Sequence, residues 1–376
     1  MTKRIQMFAV GPDSPAEKEE WMNALGQAID ERSFCLGSAT QRFESSCQEK
    51  LGVAHAIGVS SGTDGLKIAL AAVGVKPGDE VILPAYSFFS TASVIAQLGA
   101  TPVFVDLDAQ TLCICPQQVA DKINSKTAAI MPVHLYGQTA QMDPLLQLAR
   151  EHSIPIVEDA AQAFGVRYHG KPAGAIGDAG AFSFYPTKNL AAAGDAGMVV
   201  CQDDELAARI RLLRVHGDVG GYRHEMLGWN ARMDGFQAAI LSVRLQQLDQ
   251  QQAVRLRNAT EYQEALASSN LLDRVRPLGR TEGSDHCWHQ YIVQVEGRDQ
   301  LRDELSRRGI DTGAYYPGTL PEQGCFAHLG HQPGEFPIAE SAAQSVVALP
   351  VHHRLEVGEP TRVVTAIAEV TETLIG

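Results

Sequence analysis

Three short stretches of the 376-residue chain carry side chains suited to chemistry. The segment FSFYPTKNL, residues 182–190, sets Lys188 just after an apolar run and a proline. A solvated lysine is the ordinary case. One held against Phe184 and Tyr185 loses hydration, its ammonium is destabilised, and the free amine becomes able to attack a carbonyl. The segment IPIVEDAAQA places Glu158 and Asp159 at the end of another apolar run. Alternation along a strand turns one carboxylate to each face, so only one of the pair reaches a given site. Such a group serves as a metal ligand, a general base, the partner of a protonated ring nitrogen, or the cap of the following helix. In SSGTDGL, Ser60 and Ser61 end a third run, Gly62 permits a tight turn, and a helix begins near Thr63. The unpaired N–H groups and positive dipole of a helix start suit a phosphate, although Ser or Thr there also acts as a plain cap.

Taken singly, each feature has a structural explanation. Taken together, a phosphate cradle, a carboxylate and a lysine at the carboxyl ends of strands match the needs of pyridoxal phosphate. That cofactor carries a phosphate, a pyridine nitrogen that wants a carboxylate partner, and an aldehyde that wants an amine.

The elements that must position these residues are legible as alternating patterns. HAIGVSS, EVILPA, TPVFVDL, AAIMPVHLYG, IPIVEDA, GAFSFY and AGMVVC are near-continuous apolar runs, as expected for strands covered on both faces. Amphipathic helical stretches such as GTDGLKIALAAVG and DPLLQLAREH lie between them. This series predicts an α/β large domain with a mostly parallel sheet flanked by helices, whose ligands collect at the carboxyl ends of the strands. The expected division is a large domain over 1–235 that includes two N-terminal helices, a long connecting helix over 236–269, and a smaller α+β domain over 270–376.

Composition narrows the function. The net charge of −13 argues against nucleic acid or an anionic membrane as partner, while leaving room for a locally positive pocket. Seven scattered cysteines, including Cys113 and Cys115 two apart, show no metal-ligand spacing and read as small buried hydrophobes in a reducing compartment. No metal site is expected. The N-terminus lacks the apolar core of a signal peptide, and no run approaches the ~20 apolar residues of a membrane span, so a cytoplasmic location is expected.

The chain resembles the DegT/StrS-type pyridoxal-phosphate-dependent sugar aminotransferases, within the fold-type-I aminotransferase superfamily, over nearly its whole length. The resemblance is carried by PGDEVILPAYSFFSTAS, TPVFVDLD, PVHLYGQTAQMD, VEDAAQAFG, GDAGAFSFYPTKNL and GWNARMDGFQAAIL. It implies that Lys188 forms the Schiff base with the cofactor and afterwards shuttles the proton, and that Asp159 pairs with the pyridine nitrogen. It further implies Gln162 near the ring hydroxyl, Phe88 stacked on the ring, and Gly62, Thr63, the Asp64 backbone and Ser183 around the phosphate. Asn230 would reach the phosphate of the neighbouring subunit in a homodimer. Tyr222, His224, Arg232 and Tyr316 are the substrate-side candidates, with Arg223, Arg211 and Arg214 as weaker cations. Relatives often read Tyr-Pro-x-Pro-Leu-His where this chain has GAYYPGTLPEQGCF, which keeps Tyr316 and Pro317 without the histidine.

The implied reaction is transamination of a nucleotide-linked keto-sugar with an amino-acid donor, L-glutamate, giving an amino-sugar. Three alternatives differ in chemistry. An aminotransferase acting on a non-nucleotide cyclic ketone fits the altered loop. A pyridoxal-phosphate-dependent sugar dehydratase would typically carry histidine in place of Lys188. A non-catalytic regulator that binds the cofactor would be expected to lose Lys188 or Asp159.

Overall fold

The computed structural model describes residues 3–375. Two helices, α1 (Pro15–Asp30) and α2 (Ser38–Leu51), precede the sheet. The apolar runs become β1 (His55–Val59), β2 (Glu80–Pro84), β3 (Thr101–Val105), β4 (Thr127–Ile130) and β5 (Val157–Asp159). A two-residue hairpin follows, β6 (Arg167–Tyr168) and β7 (Lys171–Pro172), and then β8 (Ala179–Ser183) and β9 (Gly197–Cys201). Ladders β3-β2-β4 and β5-β8-β9-β1 are joined by parallel bridges Ile130–Ile156 and Val133–Asp159. The result is one sheet in the order β3-β2-β4-β5-β8-β9-β1.

The sheet is mostly parallel, with one reversal. β9 runs antiparallel to both β8 and β1, with Ser183, Gly197 and Val59 in register. The reason is the connection: β8 reaches β9 through a loop with no crossover helix, and so short a return brings the chain back antiparallel. That loop, residues 184–196, carries Lys188 and therefore lies over the carboxyl ends of β8 and β1.

Between the strands run α3 (Gly62–Ala72), α4 (Ser90–Gln97), α5 (Pro116–Lys122), α6 (Met142–His152) and α7 (Asp204–Leu213). They cover one face of the sheet, where Val199 and Cys201 of β9 enter the main apolar core. The alternate residues Met198 and Val200 face the other way, into a core shared with α1, α2 and the first half of α8 (Gly235–Ser268). The 34-residue α8 bridges the two parts of the chain. Its Leu241, Leu245 and Leu248 pack in the large-domain core, whereas Ala259, Tyr262 and Leu266 pack in the C-terminal one.

The C-terminal core rests on the antiparallel sheet β10 (Val275–Pro277), β11 (Tyr291–Val295) and β12 (Val346–Leu349), with α9 (Arg298–Arg307) and α11 (Glu359–Ile375). Two segments cross between the parts. Ile5, grouped above with the large domain, lies in this C-terminal core and exchanges backbone bonds with Gly309 and Asp311 at 2.8 and 2.9 Å. Conversely, Phe336 and the buried alanines of α10 (Pro337–Ser345) join the large-domain core beside Phe104. All seven cysteines are free; Cys47, Cys113, Cys201 and Cys287 are buried, but Cys35 and Cys325 are exposed, contrary to the expectation of uniformly buried thiols. Among the described residues no helix is long and apolar enough to cross a membrane.

Candidate active site

β5 ends in the two carboxylates that sequence alternation left undecided, and their surroundings separate them. Glu158 is fully buried and accepts four bonds: from His134 Nε2 at 2.6 Å and from the N–H groups of Gly174, Ile176 and Gly177 at 2.7 Å. Its oxygens are thus occupied in holding the loop before β8 against β5. Asp159 points the other way, onto the wall of a cavity of about 490 Å³. It accepts from Thr91 Oγ1 at 2.8 Å and from the Ala161 N–H at 3.2 Å. Both donors are neutral, and burial raises its carboxyl above the usual value against their pull and that of Lys188.

Lys188 lines the same cavity. The chain turns after β8, the Lys188 N–H closes onto Tyr185 O at 2.8 Å, and the side chain lies among protein atoms with only part of it open to the cavity. Desolvation lowers its ammonium to about 8, with the negative charge of Asp159 acting in the opposite sense.

The start of α3 forms a third wall. Ser61 caps it, accepting the Asp64 N–H at 3.1 Å. The N–H groups of Gly62 and Thr63 have no partner among the described residues, and the Thr63 hydroxyl is oriented by Ser90 Oγ at 2.7 Å. The approach to β8 and β9 is close enough to require glycine twice. A Cβ on Gly62 would sit 2.7 Å from Ser183 Cβ, and one on Gly197 would sit 2.3 Å from the Ser61 carbonyl carbon.

Gly62, Thr63, Phe88, Asp159, Gln162, Ser183, Lys188 and Tyr316 therefore share one cavity. Gln162 is held from both ends, accepting the Tyr136 N–H at 2.6 Å and donating to Tyr316 OH at 3.1 Å. Asp64 is not on the cavity wall: its N–H is taken by Ser61, and its carboxylate by Ser60 Oγ at 2.5 Å and Lys67 Nζ at 2.7 Å. Tyr222, His224, Asn230 and Arg232 do not line this chain's cavity either. Tyr222 is 92% exposed, Asn230 is exposed beside Val215, and His224 Nδ1 contacts His216 O at 3.0 Å. Arg232 pairs by its backbone with Val59, and its buried Nε has no hydrogen-bond partner. Of the weaker cations, Arg214 is committed to Glu44 and Gly58 O, both at 2.8 Å, Arg211 leans on His55, and Arg223 stays within its own loop.

The structure adds cavity residues that the sequence reading passed over: Ser87, Ser90, Asp195, His289, Gln290 and Tyr315. His289 and Gln290 open the stretch HQYIVQV, read above only as a strand. Two polar residues at the head of an apolar run were the available signal. Thr91, which holds Asp159, has no such signal, because its role arises across 68 residues of chain.

The chain is 43% identical over 352 residues to a pleiotropic regulatory protein of Geobacillus stearothermophilus, covering 94% of each. It is 39% identical over 350 residues to the UDP-N-acetyl-3-dehydro-alpha-D-glucosamine 3-aminotransferase of Acidithiobacillus ferrooxidans, covering 93% of each. The crystal structure of DesV from S. venezuelae in complex with a ketimine intermediate superposes with a TM-score of 0.95 at 39% identity, covering 99% of both chains. The sugar aminotransferase Spr1654 of Streptococcus pneumoniae, described as putative and solved in its PLP form, superposes at 0.91 with 27% identity, covering 99% of this chain and 100% of that one. Residues 15–368 match the DegT/DnrJ/EryC1/StrS aminotransferase family, and the chain belongs to it.

Proposed function

We propose that the protein is a pyridoxal-phosphate-dependent aminotransferase that moves an amino group from L-glutamate to a nucleotide-linked keto-sugar, and that it works as a homodimer. The observation that carries this reading is a desolvated Lys188 and a buried Asp159 on the walls of one cavity, with an open helix start beside them. The donor set fits the cofactor. Asp159 makes no ion pair among the described residues and has only neutral hydrogen-bond donors, so a protonated ring nitrogen answers its charge. The free N–H groups of Gly62 and Thr63, with the Thr63 and Ser183 hydroxyls, suit a phosphate. Gln162 would meet the ring hydroxyl and Phe88 the ring face. When bound, the cofactor supplies an aldehyde and a ring that withdraws electrons from the substrate carbon losing its proton.

The chain's own part is binding, orientation and proton handling. At pH 7 an ordinary lysine is a free amine about three times in ten thousand; a value of about 8 raises that to about one in ten. Lys188 Nζ is thereby able both to take a proton and to return it near neutral pH. Asp159 would hold the ring nitrogen of the bound cofactor in its protonated form. The substrate's nucleotide would carry negative charge, and among the described residues Lys188 is the lysine or arginine on this chain's own cavity wall. Arg232, Tyr222, His224 and Asn230 are therefore assigned to the second subunit's contribution, with Tyr316 contacting substrate from within. The unpaired cysteines suit a cytoplasmic location.

Two curated relatives support the substrate class, one with a UDP-linked 3-keto sugar and one described as a dTDP-3-amino-3,4,6-trideoxy-alpha-D-glucose transaminase. The regulatory relative raises the alternative of a sensor without turnover; a Lys188 and Asp159 both intact and facing one cavity favour catalysis. The test is the visible spectrum of the purified protein before and after L-glutamate, for wild type and Lys188→Ala, followed by a panel of nucleotide-linked 3-keto and 4-keto sugars. The expected result is a yellow protein bleached toward the amine form by glutamate, a variant that lacks the response, and turnover of at least one sugar. A protein that takes up no pyridoxal phosphate would refute the reading. Turnover of non-nucleotide ketones alone would refute its substrate class.

A further inference from the structure

We propose that Tyr86 and Tyr136 are positioning residues for the candidate site: their hydroxyls hold the main chain at Tyr315 and Tyr316, so that the Tyr316 phenol stays on Gln162 and turns its own proton toward the cavity. The clamp itself is independent of the function proposed above; its consequence for the cofactor rests on that reading.

The two phenols arrive from neighbouring parallel strands. Tyr86 follows β2 by two residues, and Tyr136 lies in the single helical turn Leu135–Gly137 after β4. Both are buried. Desolvation pushes the Tyr86 hydroxyl up to about 12 and the Tyr136 hydroxyl well above its ordinary value, so each is a neutral group with one proton to give. Each gives it to the segment that reaches over from the C-terminal part, where Gly313 pairs with Ala348 of β12. Tyr136 OH donates to the Tyr315 carbonyl. Tyr86 OH donates to the Tyr316 carbonyl at 3.0 Å and accepts the Tyr316 N–H. Polar main-chain groups in a loop need partners as much as those in a helix do. Here two side chains from the other part of the molecule supply them, and phenylalanine in either place would fill the same space without doing so.

The direction of the next bonds follows from what each group is able to do. The Tyr136 N–H only donates, so the Gln162 amide turns its oxygen to it at 2.6 Å. The other end of that amide, Nε2, then faces Tyr316 OH at 3.1 Å and donates. Tyr316 accepts this bond and keeps its single proton, which burial holds in place. Gln162 and Tyr316 both line the cavity, so that proton is available to an oxygen acceptor bound there. The second hydrogen of Gln162 Nε2 is left for the ring hydroxyl assigned to it above. Tyr136 therefore serves twice: its N–H fixes one end of Gln162, and its hydroxyl fixes the segment that carries the partner of the other end.

The tests separate the clamp from the function. In the cofactor-free full chain, labelled with nitrogen-15 at its nine tyrosines, the Tyr316 amide signal is identified by its loss in Tyr316→Phe. Its hydrogen exchange should be slow in the unaltered protein and about tenfold faster in Tyr86→Phe, while the Tyr262 amide in α8 keeps its rate. A Tyr316 rate that the substitution leaves unchanged, or one raised equally at Tyr262, would overturn the proposal. Pyridoxal phosphate affinity, titrated by visible absorbance, tests the consequence. Tyr86→Phe and Tyr316→Phe should each weaken it about threefold to tenfold. The double variant should be no weaker than Tyr316→Phe alone, because the effect of Tyr86 passes through the Tyr316 hydroxyl. Effects that multiply, or a Tyr86→Phe affinity equal to wild type, would overturn the positioning role. If Tyr86→Phe does not fold, Tyr136→Phe takes its place in the titration with the same non-additivity expected, since it keeps the N–H on Gln162 and loses only the bond to Tyr315. An unaltered protein that binds no pyridoxal phosphate yet shows the exchange result would sink the functional reading and leave the clamp standing.

Discussion

Asp159 and Lys188 are each placed where burial disfavours their charged form, and both therefore cost stability near neutral pH. For Lys188 the folded value of about 8 lies below the unfolded 10.5. The unfolded chain binds more protons between those values, so stability rises with pH across that window and the penalty is full below 8. Lys188→Met should therefore stabilise the cofactor-free protein by about 1–2 kcal/mol at pH 7 while abolishing transamination. Thermal melts at pH 7 and pH 10 check the sign: the gain should shrink at the higher pH, and no gain at pH 7 would mean the lysine is not desolvated. For Asp159 the folded value is raised, so its contribution falls as pH rises from the ordinary carboxylate range and stays low above it. A second change tests the cradle itself. Gly62→Ala drives a methyl into Ser183, with a closest approach of 2.7 Å, and should cost about 1–3 kcal/mol together with a weakened hold on pyridoxal phosphate. Equilibrium unfolding and cofactor titration would show both; an unchanged cofactor affinity would remove Gly62 from the phosphate site.

At the scale of elements, the site depends on how β5 is anchored from behind. Each Glu158 oxygen accepts two donors, so the amide of Glu158→Gln would point its N–H groups at groups that also donate. A loss of about 2–4 kcal/mol is expected, with Asp159 displaced by the slackened strand end. Denaturant unfolding measures the first, and a shifted cofactor spectrum reports the second; full stability would show that the four bonds are replaceable. This anchor also marks the limit of what the sequence discloses. The strands were legible because a run such as AGMVVC is apolar on both faces, and the sites at their ends followed from where the polar residues begin. The reversal of β9 was not legible, since apolarity carries no direction. Nor was the choice between Glu158 and Asp159, which depends on His134 and on residues 174–177 arriving on one side and Thr91 on the other. His289 was missed because a histidine opening a strand is indistinguishable from any other polar residue until Asn189 is seen to orient it.

For the molecule as a whole, the proposed homodimer would give the loop between α7 and α8 a second chain to meet. Tyr222 and Leu227 on it are 92% and 96% exposed, and Phe88 and Tyr185 at the cavity wall are half exposed. A contact with a second chain would cover them. The proposed homodimer has a consequence that distinguishes a shared site from two private ones. Light scattering should give twice the 40.5 kDa chain mass. Lys188→Ala and Asn230→Ala chains, each inactive or strongly impaired alone, are then mixed under conditions that exchange subunits. If each site takes its lysine from one chain and its asparagine from the other, a mixed dimer has one site with neither change and one with both. Random assortment makes about half of the dimers mixed, so about a quarter of the wild-type activity should return. If instead each site draws both residues from one chain, no site escapes a substitution, and mixing restores nothing. Recovery would place Asn230 across the interface, where the exposed position of its side chain leaves it free to reach; a flat result would return the loop to its own subunit and require another source for the cations that a nucleotide-linked substrate needs.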